Sequence, residues 1–463
     1  MRVLLVEPPK QVWEMMGDCV APPQGLLSVA AVLEEERIPV TILDCNASQC
    51  AWSDVGDFIE EAEPDMVGAS AMTPFFSPAA RVMSLAKAID PKVVTVLGGS
   101  HVTFLPQETL LNRPEIDFVV RGEGERTLVN LIRCLEEDDD LSRVEGIAFR
   151  QGDQVVQTPL PPPLDLDTLP LPAYHLVPTE RYHFEFLGKF ATPEASRGCP
   201  HRCTFCSEWR FWGEGWRPRN PEMVVEELEL LHRKYGRESF WFTDDCFNVD
   251  GDHMRAICEG ILARGLRISW FYQGRADLLM KYADLLPLMR ESGNLMTQLG
   301  IEASTDSELD SLHKRLTVEE IETAVRLLKE NDIVCQGLFI TGTKTDDGPS
   351  IVHKLRFAKW LDVDFPIFAV YTPFPGSDVY EEARREGLLE GLEYSEYDMS
   401  HALLPTEHLS REESLDWNQW CFANYYLDPA KLVKGLFSRN SWKRRIWQHM
   451  LRFTGKQIFR SLF

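Results

Sequence analysis

The chain of 463 residues is long enough for two or three domains, and its hydrophobic content of 44% is ordinary for a water-soluble protein with a large core. The net charge of −24 disfavours nucleic acid as a partner, and no run approaches the roughly 18 to 20 apolar residues that span a bilayer. Eleven cysteines without an evident disulfide framework indicate reduced thiols, metal ligation and a cytoplasmic location.

Residues 1–145 are predicted to form an α/β domain of the Rossmann-like, flavodoxin-like type. Short apolar runs alternate with helical patterns, which is typical of a doubly wound parallel sheet. The predicted strands are 2–6, 40–43, 66–70, 93–97 and 118–120. Open sheets of this kind bind ligands at the carboxyl ends of their strands, so the loops there predict a ligand crevice. The residues singled out in these loops are Ser70, Met72, Thr73, Gly98, Gly99 and Glu123.

Residues 146–190 are predicted to be a hairpin followed by a proline-rich linker. Two short β patterns flank Gly152 and Asp153, which favour a turn. Six prolines between positions 159 and 172 disfavour a helix and favour an extended strap. The aromatic residues from Tyr174 to Phe184 either cover a ligand site or pack against the next domain, and the second alternative is preferred.

Three cysteines at C-x3-C-x2-C spacing follow the linker. Cys199, Cys203 and Cys206 can face one point if the backbone curls around a soft metal, because thiolates select iron–sulfur clusters, zinc or copper(I). Four cysteines would complete a structural zinc centre or an ordinary cubane, so a triad leaves one iron of a [4Fe–4S] cluster open for a small molecule. The alternative is a zinc knuckle completed by His201 or by a distant cysteine.

Residues 191–395 are predicted to form a partial (β/α)6 barrel. Six strand-like segments alternate with amphipathic helices. They are 194–196, 239–243, 268–273, 296–301, 334–341 and 365–371. Chemistry in such barrels gathers at the carboxyl ends of the strands, where Asp244, Asp245, Arg275 and Glu302 are expected. The segment 207–219, rich in Trp and Arg, is either a core-covering loop or a flat lid beside a ligand.

Residues 396–463 are predicted to be a helical region that ends in a basic amphipathic tail. Positions 431–463 hold nine Lys or Arg and no Asp or Glu, which leaves −33 on the rest of the chain. Such a helix can lie in a membrane interface, where each cation near an anionic surface contributes about 1 kcal/mol. It can also dock on the acidic body of its own chain, and the charge of that body slightly favours docking.

The cysteine spacing, with Phe205 immediately before the last cysteine, resembles the radical S-adenosylmethionine (SAM) superfamily. The crevice loops that precede it look like the cobalamin-binding domain of cobalamin-dependent radical SAM enzymes. Three short sequence motifs are similar to motifs of the anaerobic magnesium-protoporphyrin monomethyl ester oxidative cyclase and related carbon methyltransferases. They are Cys206–Trp212, Val96–His101 and Tyr371–Pro373. The similarity covers roughly residues 1–430.

This resemblance implies three cofactors: a [4Fe–4S] cluster, SAM and cobalamin. The cluster ligands would be Cys199, Cys203 and Cys206, and the open iron would chelate SAM. The candidate SAM contacts are Phe205, Asp244, Asp245, Arg275 and Glu302. The candidate cobalamin contacts are Ser70, Met72, Thr73, Gly98, Gly99 and Glu123. The motif Asp-x-His-x-x-Gly, which usually supplies the lower ligand of the cobalt, is absent, and Asp44–Ser48 stands in its place. No histidine of that motif would therefore coordinate cobalt. His101 is not expected to replace it.

The activity implied by the resemblance is hydrogen abstraction from an unactivated carbon, followed by methyl transfer from methylcobalamin. The expected substrate is a hydrophobic small molecule of a tetrapyrrole, isoprenoid or natural-product kind. An external donor such as flavodoxin or ferredoxin would supply the electron. The first alternative is an oxidative cyclase without methyl gain. Two others are a methylthiotransferase with a second cluster at Cys19, Cys45 and Cys50, and a non-catalytic cobalamin-binding protein.

Overall fold

The computed structural model describes residues 1–10 and 18–462, with side chains as far as residue 455. The strands are β1 (Val3–Glu7), β2 (Cys19–Val20), β3 (Val40–Asp44), β4 (Met66–Ser70), β5 (Val94–Gly98), β6 (Phe118–Val120), β7 (Ile147–Gln151), β8 (Gln154–Gln157), β9 (His183–Phe184), β10 (Gly188–Ala191), β11 (Ser196–Arg197), β12 (Arg217–Pro218), β13 (Ser239–Trp241), β14 (Ser269–Gly274), β15 (Asn294–Glu302), β16 (Val334–Thr341) and β17 (Ile367–Val370).

The helices are α1 (Gln24–Glu35), α2 (Cys45–Ser48), α3 (Trp52–Ala62), α4 (Phe76–Ile89), α5 (Ser100–Phe104), α6 (Pro106–Asn112), α7 (Gly124–Glu137), α8 (Glu208–Phe211), α9 (Pro221–Arg233), α10 (Gly251–Ala263), α11 (Ala276–Lys281), α12 (Leu286–Glu291), α13 (Asp306–Ser311), α14 (Val318–Glu330), α15 (Gly348–Leu361), α16 (Asp378–Arg385), α17 (Arg411–Tyr426), α18 (Pro429–Leu436) and α19 (Ser441–Leu462). Short 3-10 turns lie between several of them.

The first sheet has the order β3-β1-β4-β5-β6-β7-β8, and its first five strands are parallel. For those five strands this is the flavodoxin-like order, whose ligand crevice opens where the strand order reverses, here between β1 and β4. Side chains alternate between the two faces of a strand. Leu5 therefore packs with α1 and α7, whereas Leu4 packs with α3 and α4.

The hairpin β7–β8 belongs to the first sheet, whereas the sequence pattern assigns it to the linker. Strand β7 pairs antiparallel with β6, and Phe149 lies opposite Phe118. The physical reason is burial, because Ile147, Ala148 and Phe149 are all buried and need cover on both faces of the sheet. The proline-rich strap then runs from this hairpin towards the second sheet.

The second sheet has the order β17-β16-β15-β14-β13-β10-β9-β2. The six strands from β10 to β17 in this order are parallel, which confirms a partial (β/α)6 barrel. The first barrel strand is β10 rather than the predicted 194–196. Pro193 interrupts the chain there and has no N–H to donate to a ladder, and Ser196–Arg197 pairs instead with Arg217–Pro218 as the ribbon β11–β12.

The basic tail docks on the acidic body in its described part. Lys431 and Lys434 both pair with Asp362, and Lys443 pairs with Asp364 at 2.8 Å. Lys456, Arg460 and the apolar side chains beyond residue 455 lie outside the described side chains. Val433 and Phe437 remain 60% and 80% exposed on the outer side of α18. Within the described residues, no helix is long and apolar enough to cross a bilayer.

Candidate active site

A cavity of about 530 Å³ lies where the carboxyl ends of the two sheets face each other. One wall comes from the loops after β1, β4, β5 and β6, and the proline-rich strap closes a side through Leu169, Pro170 and Pro172. The opposite wall comes from the second sheet and the segment after the cysteines. Its residues are Glu194, Arg197, Glu208, Phe211, Trp212, Arg219 and Thr243. A ligand seated on the first sheet would therefore face the second.

Five of the six predicted cobalamin contacts line this cavity: Ser70, Met72, Gly98, Gly99 and Glu123. Met72 is 53% exposed, which leaves its flexible side chain at the cavity wall. Thr73 is not among the lining residues. It is buried at the start of a 3-10 turn, and its hydroxyl lies 3.4 Å from the His101 imidazole Nδ1.

The two adjacent glycines of the β5 loop have different reasons to lack a side chain. A Cβ on Gly99 would lie 2.7 Å from both the backbone N and O of Ala71, and its φ of +95° is in the region that favours glycine. Loop packing therefore requires Gly99 without any ligand. A Cβ on Gly98 would meet only Val120, at 3.8 Å and beyond, so this residue leaves room on the cavity side.

His101 is a packing residue and does not line the cavity. Its ring lies between Phe76 and Tyr394, with centroids 4.2 Å and 4.4 Å away. Burial lowers the pKa of this imidazole to about 3, so the ring is neutral at physiological pH. No histidine lines the cavity among the described residues. Asp44 stands where the Asp-x-His-x-x-Gly motif would begin. Its carboxylate accepts a hydrogen bond from the Tyr182 hydroxyl at 2.8 Å.

A buried ion cluster joins the two walls of the cavity. Arg197, 5% exposed, donates to Glu123 and Glu125 of the first sheet at 2.7 Å each and to Glu194 at 2.9 Å. Arg217 adds a second contact to Glu123 at 3.1 Å. The predicted cobalamin contact Glu123 is therefore already held by two cations of the ribbon β11–β12. The guanidinium fork suits two carboxylates at once, so this cluster fixes the spacing between the walls.

The cysteine loop follows β11 and is held by backbone contacts. Gly198 has a φ of +84°, and a Cβ there would lie 2.7 Å from the Gly215 carbonyl oxygen. The amide of Cys206 donates to the Cys203 carbonyl at 3.2 Å, and Thr204 donates to the Leu312 carbonyl at 3.1 Å. Pro200 and Arg202 are exposed, whereas Cys203 is buried and Cys199 and Cys206 are half-buried.

The three thiols have different electrostatic surroundings. A hydrogen bond from the Cys246 thiol, together with the charges of Arg275 and Lys314, lowers the pKa of Cys199 to about 7 despite its burial. Burial raises the pKa values of Cys203 and Cys206. No three His, Cys, Asp or Glu side chains in the described part of the chain converge on a single metal ion. Three cysteine thiols within one loop are the donor type that iron–sulfur clusters take, so the chemistry of this set fits a cluster.

The two aspartates after β13 have separate roles. Asp244 accepts from the backbone N–H of Ala195 at 3.0 Å and from the Ser196 hydroxyl. Both carboxyl oxygens of Asp244 are therefore engaged in holding the cysteine loop. Burial raises its pKa to about 7. Asp245 is buried beside Glu208, and burial together with that like charge raises its pKa well above the ordinary range.

The remaining predicted SAM contacts, Glu302, Arg275 and Phe205, are not among the residues that line the cavity. Glu302 pairs with Lys314 at 2.7 Å, and its φ of +63° is unusual for a residue other than glycine. Arg275 binds Asp277 at 3.1 Å and the Lys314 carbonyl at 2.8 Å, so its guanidinium is partly engaged. Phe205 is half-buried against the main hydrophobic core.

Sequence reasoning missed Lys314 and Cys246 as members of this site. Cys246 directly follows Asp245 at a predicted strand end, so its position was a usable signal. Lys314 stands between α13 and α14, far from any strand end, and no spacing rule points to it. Only the tertiary structure brings its ammonium beside Glu302.

The segment rich in Trp and Arg both lines the cavity and packs against neighbouring residues. Phe211 and Trp212 line the cavity, and the Trp212 ring stacks 5.1 Å from the Arg197 guanidinium. Arg219 is buried and pairs with Glu227 at 2.6 Å, which is ordinary packing beneath the cavity. The tyrosine-rich segment before it also packs, since Tyr174 donates to Glu227 at 2.7 Å.

The chain matches two family descriptions, the B12 binding domain over residues 19–132 and the Radical SAM superfamily over residues 194–358. An uncharacterised methyltransferase of Pyrococcus horikoshii is 32% identical over 446 residues, which cover 96% of each chain. The anaerobic magnesium-protoporphyrin IX monomethyl ester cyclase of Rubrivivax gelatinosus is 31% identical over 100% of this chain and 84% of the cyclase. The solved methyltransferase TsrM of Kitasatospora setae, with cobalamin and a [4Fe–4S] cluster bound, has a TM-score of 0.76 at 17% identity, covering 98% of this chain and 99% of TsrM.

Proposed function

The chain belongs to the radical SAM enzymes that carry a B12-binding domain, and we propose that it methylates an unactivated carbon of an apolar small molecule. The single observation that carries this proposal is the shared cavity of about 530 Å³ between the carboxyl ends of the two sheets. A methyl donor on the first sheet and a hydrogen-abstracting centre on the second must reach the same substrate carbon. Arg197 and Glu208 flank the cysteine loop and line the wall opposite the first sheet, whereas Cys199, Cys203 and Cys206 do not line the cavity themselves.

The residues that would hold each cofactor follow from their places. Cys199, Cys203 and Cys206 would hold the [4Fe–4S] cluster, because three thiols with no fourth in the loop leave one iron open. Ser70, Met72, Gly98, Gly99 and Glu123 would contact cobalamin. Asp245 and Glu302 would meet SAM, with Phe205, Asp244 and Arg275 around them. When bound, the cluster and SAM supply hydrogen abstraction and cobalamin supplies the methyl group.

The protein's own side chains position the substrate and exclude water. Phe211, Trp212 and Leu169 present apolar surface to the cavity, which favours a flat or bulky hydrophobic molecule. Arg197, which lines the cavity, is paired with Glu123 and Glu125 across it and with Glu194 on its own side. Few charges there are free to bind an ionic substrate, so the proposed substrate class is neutral over most of its surface.

Anaerobic reconstitution followed by a labelled-methyl assay tests this proposal. We expect about four irons and one cobalamin per chain. With reductant, SAM carrying a labelled methyl group and a panel of lipids or tetrapyrroles, we expect 5′-deoxyadenosine and a product heavier by one labelled methyl. Zinc without iron in the reconstituted protein would contradict the assignment. A triple Cys199→Ala, Cys203→Ala, Cys206→Ala variant that still binds cobalamin is the matched control.

Oxidative cyclisation is the second candidate, favoured by the 31% identity to the cyclase over the whole chain. It would use the same cavity and the same cysteines. The product distinguishes the two, since cyclisation removes hydrogen from the substrate and adds no methyl label. A product with loss of hydrogen and unlabelled carbon would replace methylation as the activity.

We also propose an external one-electron donor of the flavodoxin or ferredoxin class. Pro200 and Arg202 are exposed on the cysteine loop, and the Arg202 guanidinium, which pairs with the exposed Glu214, offers a positive charge near the cluster to a small acidic protein. Arg202→Glu should slow reduction of the cluster by flavodoxin and leave reduction by dithionite unchanged. Equal slowing by both reductants would count against a docking role.

A peripheral membrane contact is the remaining proposal, and it falls on α18. Val433 and Phe437 stand one helical turn apart and are mostly exposed, beside the exposed Arg439. Their chemistry suits an anionic bilayer surface. Sedimentation with phosphatidylglycerol vesicles should pull down the wild-type protein and lose a Val433→Ser, Phe437→Ser variant. Equal sedimentation of the wild-type protein and the variant would contradict a membrane contact through Val433 and Phe437.

A further inference from the structure

Lys314 is a buried cation that the cofactor assignments above leave unused. Its side chain is 7% exposed, and its ammonium donates to one oxygen of Glu302 at 2.7 Å. Burial of an ammonium is expensive unless it is paired and held in place. The fold therefore spends stability to keep this charge at the carboxyl end of the second sheet.

The backbone around Lys314 is strained in three places. His313 and Arg315, on either side of it, have φ values of +51° and +52°, and its partner Glu302 has +63°. Residues other than glycine are destabilised in such sparsely populated conformations, and positions of this kind cluster at functional sites. The Lys314 carbonyl is also held by Arg275 at 2.8 Å.

Gly300 of strand β15 leaves space for the Lys314–Glu302 pair. A Cβ on Gly300 would lie 2.5 Å from both the Lys314 ammonium nitrogen and the bound Glu302 oxygen. The cysteine loop is tied to the same segment, because the Thr204 amide donates to the Leu312 carbonyl at 3.1 Å. Lys314 is thus fixed relative to the residue between Cys203 and Phe205.

Lys314 and Arg275 are two buried cations beside the cysteine loop, whereas the charged neighbours of Cys206 are the acidic Glu208 and Asp245. Both Cys199 and Cys203 lie within reach of the positive charges of Lys314 and Arg275. Glu302 acts in the opposite direction on Cys203. Arg275 is balanced by Asp277 at 3.1 Å, whereas Lys314 has only Glu302 as an ion-pair partner among the described residues.

We propose that Lys314 is a positioning residue that sets the reduction potential of the cluster, with Glu302 as the opposing charge. This inference rests on the proposed function. The step it affects is the uptake of one electron by the oxidised [4Fe–4S]2+ cluster from an external one-electron donor, which is itself oxidised by one electron. A fixed cation close to the thiolates stabilises the added negative charge, so it makes reduction more favourable.

Redox titration monitored by electron paramagnetic resonance tests the proposal without SAM or substrate. Lys314→Gln should lower the ratio of reduced to oxidised cluster at a fixed potential by about tenfold, equivalent to 59 mV for one electron. Glu302→Gln should raise the ratio. The double variant removes both charges and keeps an amide pair, so its ratio should return near the wild-type value.

Opposite signs distinguish an electrostatic role from a structural one, because simple loosening of the site would shift both single variants the same way. Shifts of the same sign, or no shift in either variant, would overturn the proposal. Lys354 is the matched control, since it is 0% exposed and pairs with Asp346 at 2.6 Å. The Asp346→Asn, Lys354→Gln variant should keep the wild-type potential.

Iron and sulfide counts on each protein separate the two levels of inference. A wild-type protein that takes up no cluster would refute the proposed function itself. A wild-type protein that forms the cluster, with potentials insensitive to Lys314, would refute only the inference about this residue. Thermal unfolding of the double variant checks that the fold is retained where the single variant leaves a buried charge unpaired.

Discussion

At the scale of single residues, adjacent positions in one motif have different structural roles. Gly98 and Gly99 look alike in the sequence, but only Gly99 is required by the loop that crosses it. Asp244 and Asp245 are also adjacent, yet the first holds the cysteine loop and the second faces Glu208. A motif therefore marks a site without assigning one role to all its members.

Alanine at each glycine should separate stability from ligand binding. Gly99→Ala should cost about 1–3 kcal/mol in free energy of unfolding, because the new Cβ meets the Ala71 backbone at a positive φ. Gly98→Ala should change stability little and weaken cobalamin retention, since its Cβ enters the cavity. Urea unfolding of the apoprotein and equilibrium dialysis with cobalamin measure the two effects. Equal losses of stability would contradict the distinction.

The buried carboxyl of Asp244 should make stability depend on pH. Its pKa is about 7 in the fold and about 3.9 in an unfolded chain, so its contribution is fully present below about pH 4 and lost as pH rises through 7. Asp244→Asn removes this titration. The stability of the variant relative to wild type should therefore increase between pH 5 and pH 8 in urea unfolding of the apoprotein. A constant difference would refute the prediction.

At the scale of elements, the second sheet shows how local rules and neighbours compete. The segment 194–196 has a strand-like composition, but it does not pair in the second sheet. Pro193 precedes it, and the Asp244 carboxylate accepts its hydrogen bonds instead. The tail helices α18 and α19 are basic and amphipathic, and the acidic body captures their described cations through Asp362, Asp364 and Glu185. Both outcomes depend on partners that are distant in sequence.

Removal of the Asp362 carboxylate should loosen α18 without unfolding the barrel. Asp362 pairs with Lys431 and Lys434, which hold its pKa below the ordinary range. Asp362→Asn should cost less than about 1 kcal/mol, because these pairs are partly exposed. Hydrogen exchange should rise in 429–455 and stay unchanged in the first sheet. Glu330→Gln, which removes an exposed pair with Arg326, is the control and should change neither region.

At the scale of the whole molecule, the two sheets are joined by buried charge as well as by chain. The Arg197 cluster reaches from the cysteine loop to Glu123 and Glu125 of the first sheet. Strand β2, formed by Cys19–Val20, also leaves the N-terminal part of the chain and pairs with β9 in the second sheet. These links fix the distance across which the two proposed cofactors would face each other.

Loss of Arg197 should uncouple the two sheets. Arg197→Met leaves Glu123, Glu125 and Glu194 without their central cation, and breaking such a buried cluster costs about 3–5 kcal/mol. We expect a lower midpoint in thermal unfolding and weaker cobalamin binding. Arg133→Met, which removes an exposed pair with Glu36, should have neither effect. Unchanged cobalamin binding in a destabilised Arg197→Met variant would show that the buried ion cluster contributes only to stability.

The sequence by itself determined the fold class and the chemistry of the cysteine triad. Hydrophobic periodicity acts over a few residues, and Cys199, Cys203 and Cys206 stand within one loop, so both signals are local. Only the tertiary structure decided that Thr73 turns away from the cavity, that β10 is the first barrel strand and that Lys314 reaches Glu302. These facts depend on contacts between distant segments, where burial and charge pairing outweigh local preference.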